Sequence, residues 1–162
     1  MPHKVVDFWY EFASTYSYPA AMRIGNSAAK VQVIVRWRPF LLGPIFKAYG
    51  WKDSPFNIFE VKGRYMWRDL QRICKADGLP LNLPPVGWIA AFTRMVFTAN
   101  YAEHKDISDD ATLSAILNTL GVDAAVALAA AGSPAIKNAL HEQNDEAVAL
   151  GLFDAPSFTG GR

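Results

Sequence analysis

The feature that most constrains this chain is a strand–helix–strand pattern between Val5 and Pro39. Val5, Val6, Phe8, Trp9 and Tyr10 are β-branched or aromatic, which predicts a strand over 5–10. Glu11 to Ser17 is polar and reads as a loop. Tyr18 to Lys30 reads as a helix, with Pro19 tolerated in its first turn, where a missing N–H needs no partner. Val31, Val33, Val35 and Trp37 alternate with Gln32, Arg36 and Arg38, which predicts a second strand ended by Pro39. Ile34 breaks that alternation and predicts burial on both faces. A crossover through a helix implies that the two strands run parallel.

Beyond Pro39 the pattern turns helical. Leu41 to Tyr49 is a short apolar segment and Gly50 to Asn57 a loop. Ile58 to Ala76 reads as a long helix, with Met66, Leu70, Ile73 and Cys74 on one face and Gly78 at its end. The prolines of 79–85 exclude a helix there. Trp88 to His104 is helical again. Ser108 is expected to cap a helix whose Leu113, Ile116, Leu117 and Leu120 share a face. Val122 to Ala131 follows, and a helix begun by Ser133 and Pro134 runs to Leu150. Leu152 to Phe158 looks like a strand interrupted by Pro156. The domains expected are a thioredoxin-like domain over 1–40 and 151–162, and a helical insertion over 41–150.

Composition excludes several classes of function. Hydrophobic residues make up 51% of the 162, so a core can form and intrinsic disorder is excluded. Sixteen Lys and Arg oppose fifteen Asp and Glu, a net charge of +1, which gives no footprint for nucleic acid. The single cysteine, Cys74, can form neither an intrachain disulfide nor a cysteine zinc cluster, and no metal is expected. Its place on an apolar helix face reads as a small core residue. The start of the chain has no apolar leader, and the longest apolar run, Ala124 to Ala131, is too short for a membrane span. A cytoplasmic protein without a membrane partner is expected.

A polar turn between a first strand and its helix lies at the sheet's carboxyl edge, where α/β folds gather ligands. Ser14, Thr15, Tyr16 and Ser17 occupy it. The free amides of the helix N-terminus favour an anion there, and a hydroxyl can donate to it. His3, His104 and His141 lie far off in sequence, so Ser14 suits anion stabilisation better than nucleophilic attack. From these residues alone, Ser14 reads first as a plain helix N-cap.

The stretch Asp7-Phe8-Trp9-Tyr10-Glu11-Phe12-Ala13-Ser14-Thr15-Tyr16-Ser17-Tyr18 resembles the opening of the 2-hydroxychromene-2-carboxylate isomerases, which are similar to kappa-class glutathione transferases and share the DsbA-like thioredoxin fold. Ser14 and Ser17 fall where oxidoreductase relatives carry Cys-x-x-Cys. Thr15 stands where the family usually has proline. Arg38 to Phe46 resembles the segment after the second strand. Lys62, Tyr65, Asp69 and Arg72 match a Lys-x-x-Tyr-x-x-x-Asp-x-x-Arg helix, and Gly78-Leu79-Pro80-Leu81 follows it. Phe97 to Ser108 and Ala147 to Phe158 match later segments. Between Pro85 and Val86, and after Arg162, the family has further stretches, and the expectation is that segments are omitted at both points.

The resemblance implies an α/β fold, a thioredoxin-like sheet with a large all-helical insertion between the βαβ unit and a cis-proline strand. It implies bound glutathione with its sulfur near Ser14, a carboxylate of glutathione at Lys62, and backbone pairing of the cysteinyl part with Ala155 beside a cis-Pro156. Tyr16, Ser17 and Trp51 would line a pocket for a small aromatic substrate. The implied reaction is isomerisation of 2-hydroxychromene-2-carboxylate to trans-o-hydroxybenzylidenepyruvate in aromatic, naphthalene-type catabolism, by reversible addition of glutathione thiolate. Serine at 14 and 17 removes dithiol chemistry, so the nucleophile must come from the cosubstrate. A homodimer is implied too. The alternatives are a kappa-like glutathione transferase or peroxidase, or a non-catalytic binding protein on the same scaffold. Residue by residue, Lys62 also reads as a solvated lysine beside Glu60, the aromatics as core, and Arg64, Arg68 and Arg72 as a solvated face.

Overall fold

In a computed structural model, which describes residues 4–78 and 88–160, the chain divides into two compact units, Met1–Leu81 with Gln143–Arg162 and Asn82–Glu142. The first contains β1 (Lys4–Tyr10), α1 (Ser17–Lys30), β2 (Val33–Pro39), α2 (Leu42–Ala48), α3 (Pro55–Ile58), α4 (Glu60–Asp77) and β3 (Ser157–Gly160). The second contains α5 (Trp88–Tyr101), α6 (Asp110–Thr119) and α7 (Ala124–Ala131). The helix α8 (Pro134–Ala149) runs on from the second into the first.

Described strands are ordered β2-β1-β3. β1 and β2 are parallel, with Phe8 beside Trp37, as the crossover requires. β3 is antiparallel to β1, with Phe8 opposite Phe158 and Trp9 opposite Ser157. Phe8 and Trp9 point to opposite faces of β1 yet both are wholly buried, so the central strand is covered on both sides. On one face the Phe8 ring meets Trp37 edge-on at 5.1 Å and stacks on Phe158 at 5.3 Å. On the other, Trp9 joins Phe40, Leu42, Ile45, Ala147 and Ala155 in one cluster. The Trp9 indole N–H donates to Thr159 Oγ1 at 3.0 Å, which ties β1 to β3.

Ile34 is half exposed, contrary to the expectation of burial on both faces. β2 keeps strict alternation through Ile34, and its other face is the more covered one, with α1 packed against the strand. The expected cap Ser108 is also displaced. Its hydroxyl and N–H are both engaged by Asp106 Oδ1, at 2.7 and 2.8 Å, and Asp109 caps α6 by accepting from the Ala111 N–H at 3.2 Å. The loop expected over 50–57 contains the start of α3, with Ser54 as its cap and Pro55 in its first turn. Gly78 ends α4 at φ +58°, as expected of a C-terminal glycine. Within the second unit, α6 packs against α5 and α7. The junction at Pro85 and Val86 and the segment around Arg162 lie outside the described residues. No described helix is long and apolar enough to cross a membrane.

Candidate functional site

The loop between β1 and α1 is held as a turn by its own backbone. The Ser14 N–H donates to the Glu11 carbonyl at 3.1 Å, and the Ser17 N–H to the Ser14 carbonyl at 3.1 Å. The N-cap of α1 is Tyr16, with no side-chain cap bond, so Ser14 does not cap the helix. Its hydroxyl instead donates to the Ala155 carbonyl at 2.7 Å. The Ala155–Pro156 peptide bond is cis. Ser14, Ala155 and Pro156 are thus brought together, although Ser14 lies 141 residues before Ala155.

The other expected site residues are distributed around this turn. Ser17 is completely buried, and its hydroxyl has no hydrogen-bond partner among the described residues. The Tyr16 hydroxyl donates to Asp69 Oδ2 on α4 at 3.0 Å. Burial first, and then that carboxylate, push the Tyr16 phenol up to about 12. Lys62, also on α4, is exposed with its ammonium 4.8 Å from the Phe59 ring centre, and no described hydrogen bond or ion pair joins it to Ser14 or Ala155. Nearby Arg64 pairs with Glu60 at 2.6 Å, both exposed, as a solvated helix face would.

Beside the turn lies a cleft of about 650 Å³. Glu11 and Ala13 contribute from the turn, Phe46 and Lys47 from α2, and Trp51 and Lys52 from the loop after it. The Phe46 and Trp51 rings face each other at 5.8 Å. Of the three residues named for a substrate pocket, Trp51 lines this cleft, and Tyr16 and Ser17 do not. The cleft wall thus carries two aromatic rings, the two ammonium groups of Lys47 and Lys52 and the carboxylates of Glu11 and Asp53, a lining that suits a flat small molecule with polar substituents.

Two carboxylates were missed from the sequence. Glu11 Oε1 accepts the Leu42 N–H at 3.1 Å. Burial pushes its carboxyl above the usual range, the Leu42 bond opposes this, and the charge of Asp154 adds to it. Asp154, beside the cis bond, accepts the Ala155 N–H at 2.8 Å and is likewise pushed up by burial. The one signal for Glu11 was its place directly after β1, at the carboxyl edge of the sheet. Nothing local marked Asp154.

A family model described as the DsbA-like thioredoxin domain matches residues 5–162. The chain is 25% identical to 2-hydroxychromene-2-carboxylate isomerase of Pseudomonas putida, over 94% of this chain and 83% of that protein. It is 26% identical to glutathione S-transferase kappa 2 of Caenorhabditis elegans, over 96% of this chain and 81% of that one. The solved structure of a 2-hydroxychromene-2-carboxylate isomerase superposes with a TM-score of 0.83 at 25% identity, covering 97% of this chain and 85% of that one.

Proposed function

This chain belongs to the DsbA-like thioredoxin family, and on that premise we propose that it is a glutathione-dependent isomerase acting on 2-hydroxychromene-2-carboxylate. The observation that carries the reading is the hydrogen bond from Ser14 to the carbonyl before cis-Pro156, with serine also at position 17. No thiol stands in this turn, so its residues can hold a sulfur anion but cannot themselves exchange disulfides. Relatives named for the isomerase and for a glutathione transferase support glutathione as the cosubstrate.

In this reading Ser14 turns its hydroxyl from the Ala155 carbonyl to the glutathione sulfur. The N-terminus of α1 adds positive potential, which favours thiolate over thiol. The freed Ala155 carbonyl accepts a backbone N–H from the cysteinyl part, as an added strand would. Lys62 meets a carboxylate of glutathione. Thiolate adds to the conjugated double bond of the substrate, the resulting single bond rotates, and the thiolate leaves. The aromatic substrate lies against Trp51 in the cleft, while Tyr16 and the buried Ser17 fix the start of α1. The same reading carries the cytoplasmic homodimer that the family resemblance implied.

Calorimetric titration with reduced glutathione, run on wild type and Ser14→Ala, tests the binding step. Weaker binding or less thiolate in the variant supports it, and a chromene-carboxylate assay then tests the reaction. A folded wild type that binds no glutathione overturns the reading. A wild type that binds glutathione, conjugates electrophiles and leaves the chromene untouched is a kappa-like transferase instead.

A further inference from the structure

We propose that Glu11 is the general acid–base of this site, carrying the proton that ring opening moves between two oxygens of the substrate. The inference rests on the isomerase reading above. Its structural basis is a juxtaposition: Glu11 lines the cleft that Trp51 and Phe46 wall, and one turn ties it to Ser14.

Opening a cyclic hemiketal breaks the bond between the ketal carbon and the ring oxygen. The hemiketal hydroxyl loses a proton, its oxygen becomes the ketone oxygen, and the electron pair of the broken bond stays on the phenolic oxygen. That oxygen then takes up a proton. The step is neutral overall and needs one group that accepts a proton and returns it a few ångströms away. Ser14 cannot serve, because its hydroxyl donates to the Ala155 carbonyl, which is no base. The cleft's lysines are suited to hold the substrate carboxylate and the developing phenolate. Glu11 is the carboxylate that shares both the cleft and the turn of Ser14.

Glu11 is built for this and not only for bonding α2. Oε1 is occupied by the Leu42 N–H, which fixes the side chain, and Oε2 makes no hydrogen bond among the described residues. The charged groups around it are Asp154 beside the cis bond, Lys47 on α2, and Lys52 and Asp53 in the following loop. Burial and Asp154 hold its carboxyl above the ordinary value, nearer the pH at which a shuttle group works best. Glu11→Gln keeps an Oε1 acceptor for Leu42 and removes only the titrating proton.

The experiment is steady-state isomerisation of 2-hydroxychromene-2-carboxylate with reduced glutathione, from acid to alkaline pH, on wild type, Glu11→Gln and Glu11→Asp. The expected result for Glu11→Gln is a fall in kcat of about 100-fold with KM nearly unchanged, loss of the acid limb of the pH profile, and unaltered glutathione binding. Glu11→Asp, which keeps a carboxyl, should recover part of the rate and a displaced acid limb. If Glu11→Gln keeps the wild-type kcat and pH profile, the inference falls while the isomerase reading stands. If wild type turns over no chromene, both fall. Should Glu11→Gln not fold, a wild-type or Glu11→Asp profile with no acid limb overturns the inference equally well.

Discussion

The Ser14 hydroxyl donates to the carbonyl of Ala155 at 2.7 Å, which fastens the turn after β1 to the residue preceding cis-Pro156. The bond occupies both groups that the proposed cosubstrate would use, so binding must exchange it for two others. Ser14→Ala removes it and leaves a carbonyl on the nearly buried Ala155 without this donor. We expect a loss of about 1 kcal/mol in denaturant unfolding without ligand. Unchanged stability would mean that the bond forms no better than its water-bonded alternative.

Tyr16 and Asp69 join the same turn to α4. The Tyr16 phenol stands at about 12, above its unfolded value of 10.0, so its neutral form is the one the fold favours. The stability this adds is fully present below pH 10 and is lost as pH rises through about 12. Removing the charge in Asp69→Asn should bring the Tyr16 titration down and flatten that alkaline loss. Ultraviolet titration of tyrosinate, with Tyr16→Phe as the blank, reads the shift directly. A titration identical in Asp69→Asn and wild type would assign the whole effect to burial.

Asn144 on α8 is buried and bonds Leu41 twice, accepting its N–H at 2.8 Å and donating to its carbonyl at 3.0 Å. The amide side chain thereby satisfies a backbone pair that no strand covers. Asn144→Ala should cost about 2–3 kcal/mol, because two polar backbone groups are left with no partner. Asn144→Asp should cost much of that too, since a carboxylate can accept the N–H but cannot donate. Urea melts of the two variants check this, and a cost below about 0.5 kcal/mol in both would show that water replaces the side chain without loss.

Gly63 lies in the first turns of α4, where alanine would ordinarily stabilise a helix by about 1 kcal/mol. Here a Cβ would stand 2.4 Å from the Phe56 carbonyl oxygen, a backbone atom of α3 that cannot move aside freely. Gly63→Ala should therefore destabilise, by about 1–3 kcal/mol, through displacement of α3. A thermal melt decides the sign, and a raised Tm would mean that α3 yields easily.

Much of the fold was legible because its signals are local. The parallel βαβ unit follows from alternation, a helix and a second alternation, and α4 follows from apolar spacing closed by Gly78. Two of the departures have different causes, one tertiary and one local. Ile34 looked buried by its chemistry, but the face of β2 it occupies is the less covered one. Ser108 looked like a cap, but Asp106, two residues earlier, engages it first.

The site was legible only in part. Reading the residues in order is enough to see that no thiol stands at 14 or 17, that a serine occupies the turn after the first strand, and that Pro156 precedes a strand. Those facts depend on residue identity and on spacing of a few positions. It takes the folded chain to show that Ser14 bonds Ala155 and not its own helix, that Tyr16 finds Asp69, and that Glu11 lines a cleft with Trp51. Each of these joins segments far apart in sequence. Which atoms meet is set by the antiparallel register of β3 on β1 and by how α2 and α4 pack, and no periodicity within one segment encodes that.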